Sequence, residues 1–350
     1  MTAPWTVEPV PELRGFAVEW LEPGGVFVSK MNRLYRASTP AGKRELVGEI
    51  PTPLWSLLAA RVRLAQRLLR FMAYNVLKLS NDSIFISFGR QVGVFSNGRY
   101  RSLRGLRRPC RILRRGCAVA ADGTVSWGEY VPNEERGVVR VYRYRPGDDR
   151  AEVAYTFEAR EIRHVHGVYW DPHSGALWCV TGDRPEECRI LRTKDGFRTL
   201  ETVGAGDESW RTVSLLFTPD AVYYASDAEY RANHIFRLNR STGERTVLAE
   251  VDGPVYYTHK IGADLFFATT AELCPRQKEP VASLWHLAPG EKAARIISYT
   301  KDLFRSKVMR TLFMPGTIHF PQGPGLMGET YISGVGLRGL DNQTARLHRR

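Results

Sequence analysis

Short apolar pairs, each followed by a polar residue, a turn and a second strand-like run, recur along the chain. Ile235-Phe236-Arg237 before Ser241-Thr242-Gly243-Glu244 is one copy. The pairs begin at Leu34, Val94, Val141, Ile190, Ile235 and Leu284, so successive copies lie 60, 47, 49, 45 and 49 residues apart. That period falls in the range of propeller blades rather than of helical solenoids or leucine-rich repeats. Each pair follows a run of β-branched and aromatic residues: Val26-Phe27-Val28, Ile84-Phe85-Ile86, Val125-Ser126-Trp127, Leu177-Trp178-Cys179-Val180, Val222-Tyr223-Tyr224 and Leu265-Phe266-Phe267. Such runs bounded by turn formers read as strands.

A seventh copy begins at Thr330-Tyr331-Ile332-Ser333 and ends with a short run at Ala345, one strand short of a blade. The pattern predicts an all-β chain, a single β-propeller domain over residues 1–350 with seven blades, a six-bladed ring being the alternative. The run Gly15 to Trp20 is the expected partner for the incomplete last blade, because pairing first and last strands removes free sheet edges.

The first repeat is the longest, and the excess maps to residues 53–73. Pro51 and Pro53 precede a run of helix formers, which predicts one inserted amphipathic helix between blades 1 and 2. On a helical projection its leucines form a broad apolar arc, with Arg63, Arg67 and Arg70 opposite. Together with Trp55 this resembles an interfacial helix, so an anionic membrane surface is one expected contact; packing on the ring or on another subunit is the other.

The 350 residues carry a net charge of +13. Arginines crowd positions 99, 101, 104, 107, 108, 111, 114 and 115 and the stretch from 61 to 70, a composition that attracts polyanions. Nucleic acid is disfavoured as partner because no recognition module accompanies the charge. There is no P-loop and no Gly-rich dinucleotide fingerprint. Five cysteines without C-x-x-C spacing read as reduced thiols. The start, Met1-Thr2-Ala3-Pro4-Trp5, lacks a signal-peptide pattern. A cytoplasmic protein, peripheral to the inner membrane face if the helix docks there, is the expectation.

Inner strands of a propeller line its channel. They are expected over residues 73–79, 110–115, 164–170, 211–217, 255–260 and 317–321, which brings His164, His166, Arg211, His259 and His319 toward one axis. Alternation places His164 and His166 on one strand face. Acids recur just after the second strands, at Glu129, Asp183, Asp227 and Glu272. Carboxylates ringed near histidines can supply an acid and a base with separated pKa values. No cofactor is expected, but the H-x-H pair leaves a divalent metal open.

The segment Arg192 to Leu200 resembles a degraded Asp box of sialidase-like (BNR) propellers. Asp195 matches the box aspartate and Thr193 stands near its serine, while the glycine is one place early and Leu200 replaces the tryptophan. The stretch from His164 to Asp183 is also similar to uncharacterised BNR-like propellers associated with bacterial surface-polysaccharide loci. The three-arginine cluster, nucleophilic tyrosine and acid aspartate of a sialidase are not placed on this sequence, so the resemblance implies carbohydrate association rather than sialidase activity.

The expected function is therefore a carbohydrate-active enzyme, a glycosidase or polysaccharide lyase, cleaving an acidic glycan or oligosaccharide at the channel mouth. His164, His166, Glu129, Asp183, Asp227 and Glu272 are the candidate catalytic residues. Arg163, Arg211, His259, His319 and Tyr130 are the candidate substrate contacts. The alternative is a non-catalytic scaffold or glycan-binding propeller tethered by the helix.

Overall fold

A computed structural model describes residues 4–302 and 313–350. Seven four-stranded antiparallel sheets form the ring, six of them built in simple meander order. Blade 1 spans residues 17–49, blade 2 73–102, blade 3 117–157, blade 4 165–205, blade 5 215–251 and blade 6 255–300. Blade 7 takes three strands from residues 317–349 and its outermost strand from Trp5–Pro9, paired from Trp5 opposite Arg349 to Pro9 opposite Ala345.

The closing strand is thus not Gly15 to Trp20. That run instead begins the innermost strand of blade 1, Ala17–Glu22. The reason is visible in burial: Val18 and Leu21 sit in the core between blades 7 and 1, whereas an outermost strand is half exposed, as Trp5–Pro9 is.

Second strands read as unbroken apolar runs because neighbouring blades cover both their faces. Ile84–Phe88, Ala176–Thr181 and Asp264–Thr269 are buried at every position. Seven apolar clusters fill the seven blade interfaces.

The repeated pairs have a structural meaning of their own. In five blades the pairing of third to fourth strand shifts register within the pair: Leu34/Tyr35, Val141/Tyr142, Ile190/Leu191, Ile235/Phe236 and Leu284/Trp285. The extra residue lies on the outer strand, at Val47, Ala154, Val203, Leu248 and Ile296. Each of these five packs into an interface cluster. A bulge increases local twist, so in these five blades the sequence period marks where the outer edge turns onto a neighbour.

Inner strands carry a second set of bulges. The unpaired residues are Glu19, Tyr74, His166 and Tyr256 on blades 1, 2, 4 and 6. A bulge re-aims one side chain out of the alternation, and all four of these side chains are polar.

Residues 53–73 do not form one helix. Leu54–Ala59 (α1) and Arg63–Leu68 (α2) are separated by a break, with Val62 extended at φ −87 and ψ 119. The arginines do not face solvent as a group. Arg63 makes a two-point bond to Asp341 at 2.9 and 2.8 Å, and buried Arg67 pairs with Asp302. These carboxylates pull the basic side inward, which a helical projection alone cannot register. The arginines of the 99–115 stretch are also partly absorbed: Arg108 pairs with Glu129, Arg114 with Glu19, and Arg101 donates to the carbonyls of Asp148 and Asp149.

Candidate functional site

The innermost strand of blade 3 is Cys117–Val119, so residues 110–115 form the crossover leading to it rather than the strand itself. Similarly, Arg211 precedes the strand Leu215–Phe217. Strands alternate in direction, so crossovers into inner strands and the loops joining second to third strands lie on one face of the ring. His164 and Arg211 sit on or beside such crossovers, and Asp183, Asp227 and Glu272 follow second strands. These residues meet at the mouth between blades 3 and 6.

Two imidazoles and one carboxylate form the centre. One ligand atom each from His164, His166 and Asp183 lies within 4.8 Å of the others, the only such group among the described residues. The His164 Nδ1 is 3.2 Å from the carbonyl of Val131, and the His166 Nδ1 is 3.0 Å from that of Thr212. A carbonyl only accepts, so both protons reside on Nδ1 and both Nε2 atoms present lone pairs. The His164 Nε2 faces Asp183 Oδ2 at 3.4 Å, one acceptor against another. A backbone carbonyl behind each ligating imidazole is the arrangement that fixes tautomer and orientation at metal sites.

Burial pushes the His164 pKa down to about 3 and that of His166 down to about 4, against the opposing pull of Asp183. Both are neutral at physiological pH, as a metal ligand must be. Asp183 is penalised by burial, but His164, His166, Arg211 and Arg163 together hold its pKa below the ordinary value. Its φ of +135° is a conformation that side-chain-bearing residues rarely adopt. Gly182 beside it is required: a Cβ there would stand 2.8 Å from Arg211 Cγ and 3.1 Å from His166 Cε1.

Arg211 organises the acids. It lies 3.3 Å from Asp183, 3.2 Å from Asp227, 3.5 Å from Glu229 and 4.0 Å from Glu208. Burial, with Glu272 and Asp183 adding to it, raises the Asp227 pKa well above the carboxylate range despite Arg211. Burial thus favours the protonated form of Asp227, whereas the charges around Asp183 favour its ionised form. Tyr256 donates to Glu272 at 3.0 Å. Tyr130 packs its ring 4.1 Å from that of His164, and burial raises its own pKa to about 12. Arg163 reaches Asp183 at 3.2 Å and also pairs with Glu134. Five carboxylates, Asp183, Glu208, Asp227, Glu229 and Glu272, thus surround Arg211, and Glu134 adds a sixth beside Arg163.

Three expected members lie elsewhere. Glu129 is wholly buried in the wall, accepting from Arg108 at 2.6 Å, from Tyr142 at 2.9 Å and from the Arg140 amide at 3.1 Å. His259 lies further along its strand, stacked on Phe320 with Nδ1 3.3 Å from the Arg115 guanidinium. His319 bonds Thr317 at 2.8 Å and lines a small separate cavity with Arg114 and Glu19. The mouth itself opens into a cavity of about 530 Å³ that includes Arg163, Asp183, Glu208, Arg211, Glu229 and Tyr230. Glu208, Glu229, Tyr230 and Tyr256 were not anticipated. For Glu208, Glu229 and Tyr230 the signal was their place, in crossovers and loops equivalent to those of the acids that were found, whereas Tyr256 is the inner-strand bulge of blade 6.

No protein-family model and no curated protein matches this sequence. Solved structures share the fold. An oligogalacturonate lyase in complex with manganese superposes with a TM-score of 0.60 at 10% identity, covering 99% of this chain and 91% of that one. A chain of the mitotic checkpoint complex gives 0.57 at 10% identity, covering 100% and 95%. A prolyl endopeptidase gives 0.53 at 9%, covering 96% of this chain and 50% of that one. The chain is a seven-bladed β-propeller.

Proposed function

We propose that this propeller is a metal-assisted enzyme that cleaves an acidic glycan by β-elimination at the mouth of its channel. The observation that carries the reading is the convergence of the His164 and His166 Nε2 lone pairs with Asp183, whose carboxylate lines the cavity at the mouth. The fold likeness to a lyase that binds manganese and the resemblance to sialidase-like propellers both support it. A divalent cation at these three residues would offset the carboxylate of a uronate and so acidify the adjacent C–H.

The chain's own residues take the remaining parts. Arg211 and Arg163 hold Asp183 ionised and oriented. Tyr230, exposed on the rim, offers a ring face to a sugar. Glu229 is the wall carboxylate placed to accept the C5 proton; the C4–O bond then breaks, a C4–C5 double bond forms, and the departing oxygen takes a proton from solvent. Incubation with oligogalacturonate and manganese should generate the ultraviolet absorbance of an unsaturated uronate, abolished by chelator.

Hydrolysis is the second reading, favoured by the opposite pKa shifts of Asp183 and Asp227. It would release reducing ends without that absorbance. Saturable binding with neither product would instead mark a glycan-binding scaffold.

A further inference from the structure

The insertion between blades 1 and 2 is built inside out. Its arginines Arg63 and Arg67 are spent on Asp341 and Asp302, and Leu57, Leu69 and Phe71 pack into the interface of blades 1 and 2. What remains outward is apolar: Leu54 is 70% exposed, Trp55 63%, Val62 61%, Leu58 50% and Leu68 47%. Half of the large exposed apolar side chains among the described residues thus fall within fifteen positions; the others, Leu46, Val153, Tyr230, Val247 and Met327, are scattered over blades 1, 3, 5 and 7. Large apolar side chains gathered on one short exposed segment in this way mark an interaction surface.

Charge identifies the occupant. From residue 50 to residue 81 there is no Asp or Glu. Arg61 is exposed between the helices, and Arg90 is exposed on the turn next to Gln91, whose side chain holds the carbonyl of Pro51 at 3.1 Å. Bulky apolar residues including a tryptophan, rimmed by arginines with no acid among them, complement an anionic lipid surface, where the chains enter the headgroup boundary and the guanidiniums meet phosphate.

Topology then sets orientation. The insertion is itself a crossover into an inner strand, so it shares the face of the ring that carries His164, His166 and Asp183. We propose that the outward face of α1 and α2 docks on an anionic phospholipid bilayer and turns the channel mouth toward it. Whether the mouth cleaves glycan does not enter this inference.

The test is co-sedimentation of the full chain with vesicles of phosphatidylcholine alone and of phosphatidylcholine with phosphatidylglycerol, at low and high salt. Binding should need phosphatidylglycerol and weaken with salt. Trp55→Ser with Leu58→Ser, and separately Arg61→Glu with Arg90→Glu, should each weaken binding about tenfold or more at an unchanged melting temperature, since all four side chains are exposed. Absent binding to anionic vesicles, or equal binding by wild type and both variants, would overturn the proposal. So would a wild-type dimer in sedimentation equilibrium that Trp55→Ser with Leu58→Ser converts to monomer, since a second copy would then be the occupant.

Discussion

The Nδ1–H of His166 is anchored 3.0 Å from the carbonyl of Thr212, which ties the inner strand of blade 4 to the crossover into blade 5. Thr212 directly follows Arg211, so the residue that collects the acids and the carbonyl that aims the imidazole belong to one turn of chain. Orientation of the ligand and charge of the site are therefore coupled across a blade interface. His164 is fixed likewise by Val131, just after the second strand of blade 3.

Both imidazoles are already deprotonated at mildly acidic pH, so cation binding need displace no proton from them. Manganese affinity measured by isothermal titration calorimetry should change little between about pH 7 and about pH 5. It should fall only as pH passes through about 4 and then about 3. An ordinary histidine site would lose affinity from about pH 6.5 downward. His166→Ala should reduce affinity more than about tenfold, and a steep loss between pH 7 and 5 in wild type would contradict the buried-ligand account.

Arg211 and Asp227 are 3.2 Å apart, yet their removal should have unequal effects. Arg211→Ala leaves Asp183, Glu208 and Glu229 without their central cation, a loss of about 3–5 kcal/mol for a buried pair broken from one side. Burial favours the neutral form of Asp227, so Asp227→Asn, a neutral isostere, should change stability by about 1 kcal/mol or less. Denaturant melts of the two variants compare these directly. Equal destabilisation would mean that Asp227 is ionised in the fold.

Much of this architecture is legible in the sequence because both its signals are periodic. Doubly covered second strands give apolar runs such as Ala176–Thr181, and the recurring pair marks an outer-strand bulge, so seven blades emerge from one pattern. The mouth is legible only where it repeats. Asp183, Asp227 and Glu272 share a blade position and meet, but Glu129 shares it too and is captured by Arg108 and Tyr142, partners that no period reveals. His259 and His319 lie on inner strands as expected but beyond the mouth, because position along the channel is set by depth in the strand rather than by strand identity. The insertion misleads for a similar reason: the carboxylates that turn Arg63 and Arg67 inward come from residues 341 and 302.

Four buried histidines predict acid lability, and the sign can be worked out. Burial lowers the pKa of His164, His166, His259 and His319 in the fold, so the unfolded chain binds more protons as pH falls below 6.5. Their stabilising contribution is complete above that value and is lost as pH falls below it, at about 1–2 kcal/mol per histidine between pH 6.5 and 5. Asp227 opposes them, since a raised carboxyl pKa stabilises at low pH and is lost upward. Four groups outweigh one, so the melting temperature should fall from pH 7 to pH 5. In His259→Gln with His319→Gln, away from the mouth, the fall should shrink by about half.

Ring closure depends on a strand that ends within the first ten residues. Trp5 is buried at 7% exposure, packs edge-on against Phe266 of blade 6 at 4.8 Å, and lies under the Arg349 guanidinium at 5.4 Å. It thus joins the two termini to the blade 6 and 7 interface, while Pro9 ends the pairing opposite Ala345. Trp5→Ala removes a core aromatic and should lower stability by about 3–5 kcal/mol. Deletion of residues 1–10 goes further: it exposes the whole edge of Thr344–Arg349, an open strand that invites pairing with another chain. The truncated protein should aggregate at concentrations where Trp5→Ala is still monodisperse by light scattering. A monodisperse truncation with an unchanged melting temperature would show that the ring closes without this strand.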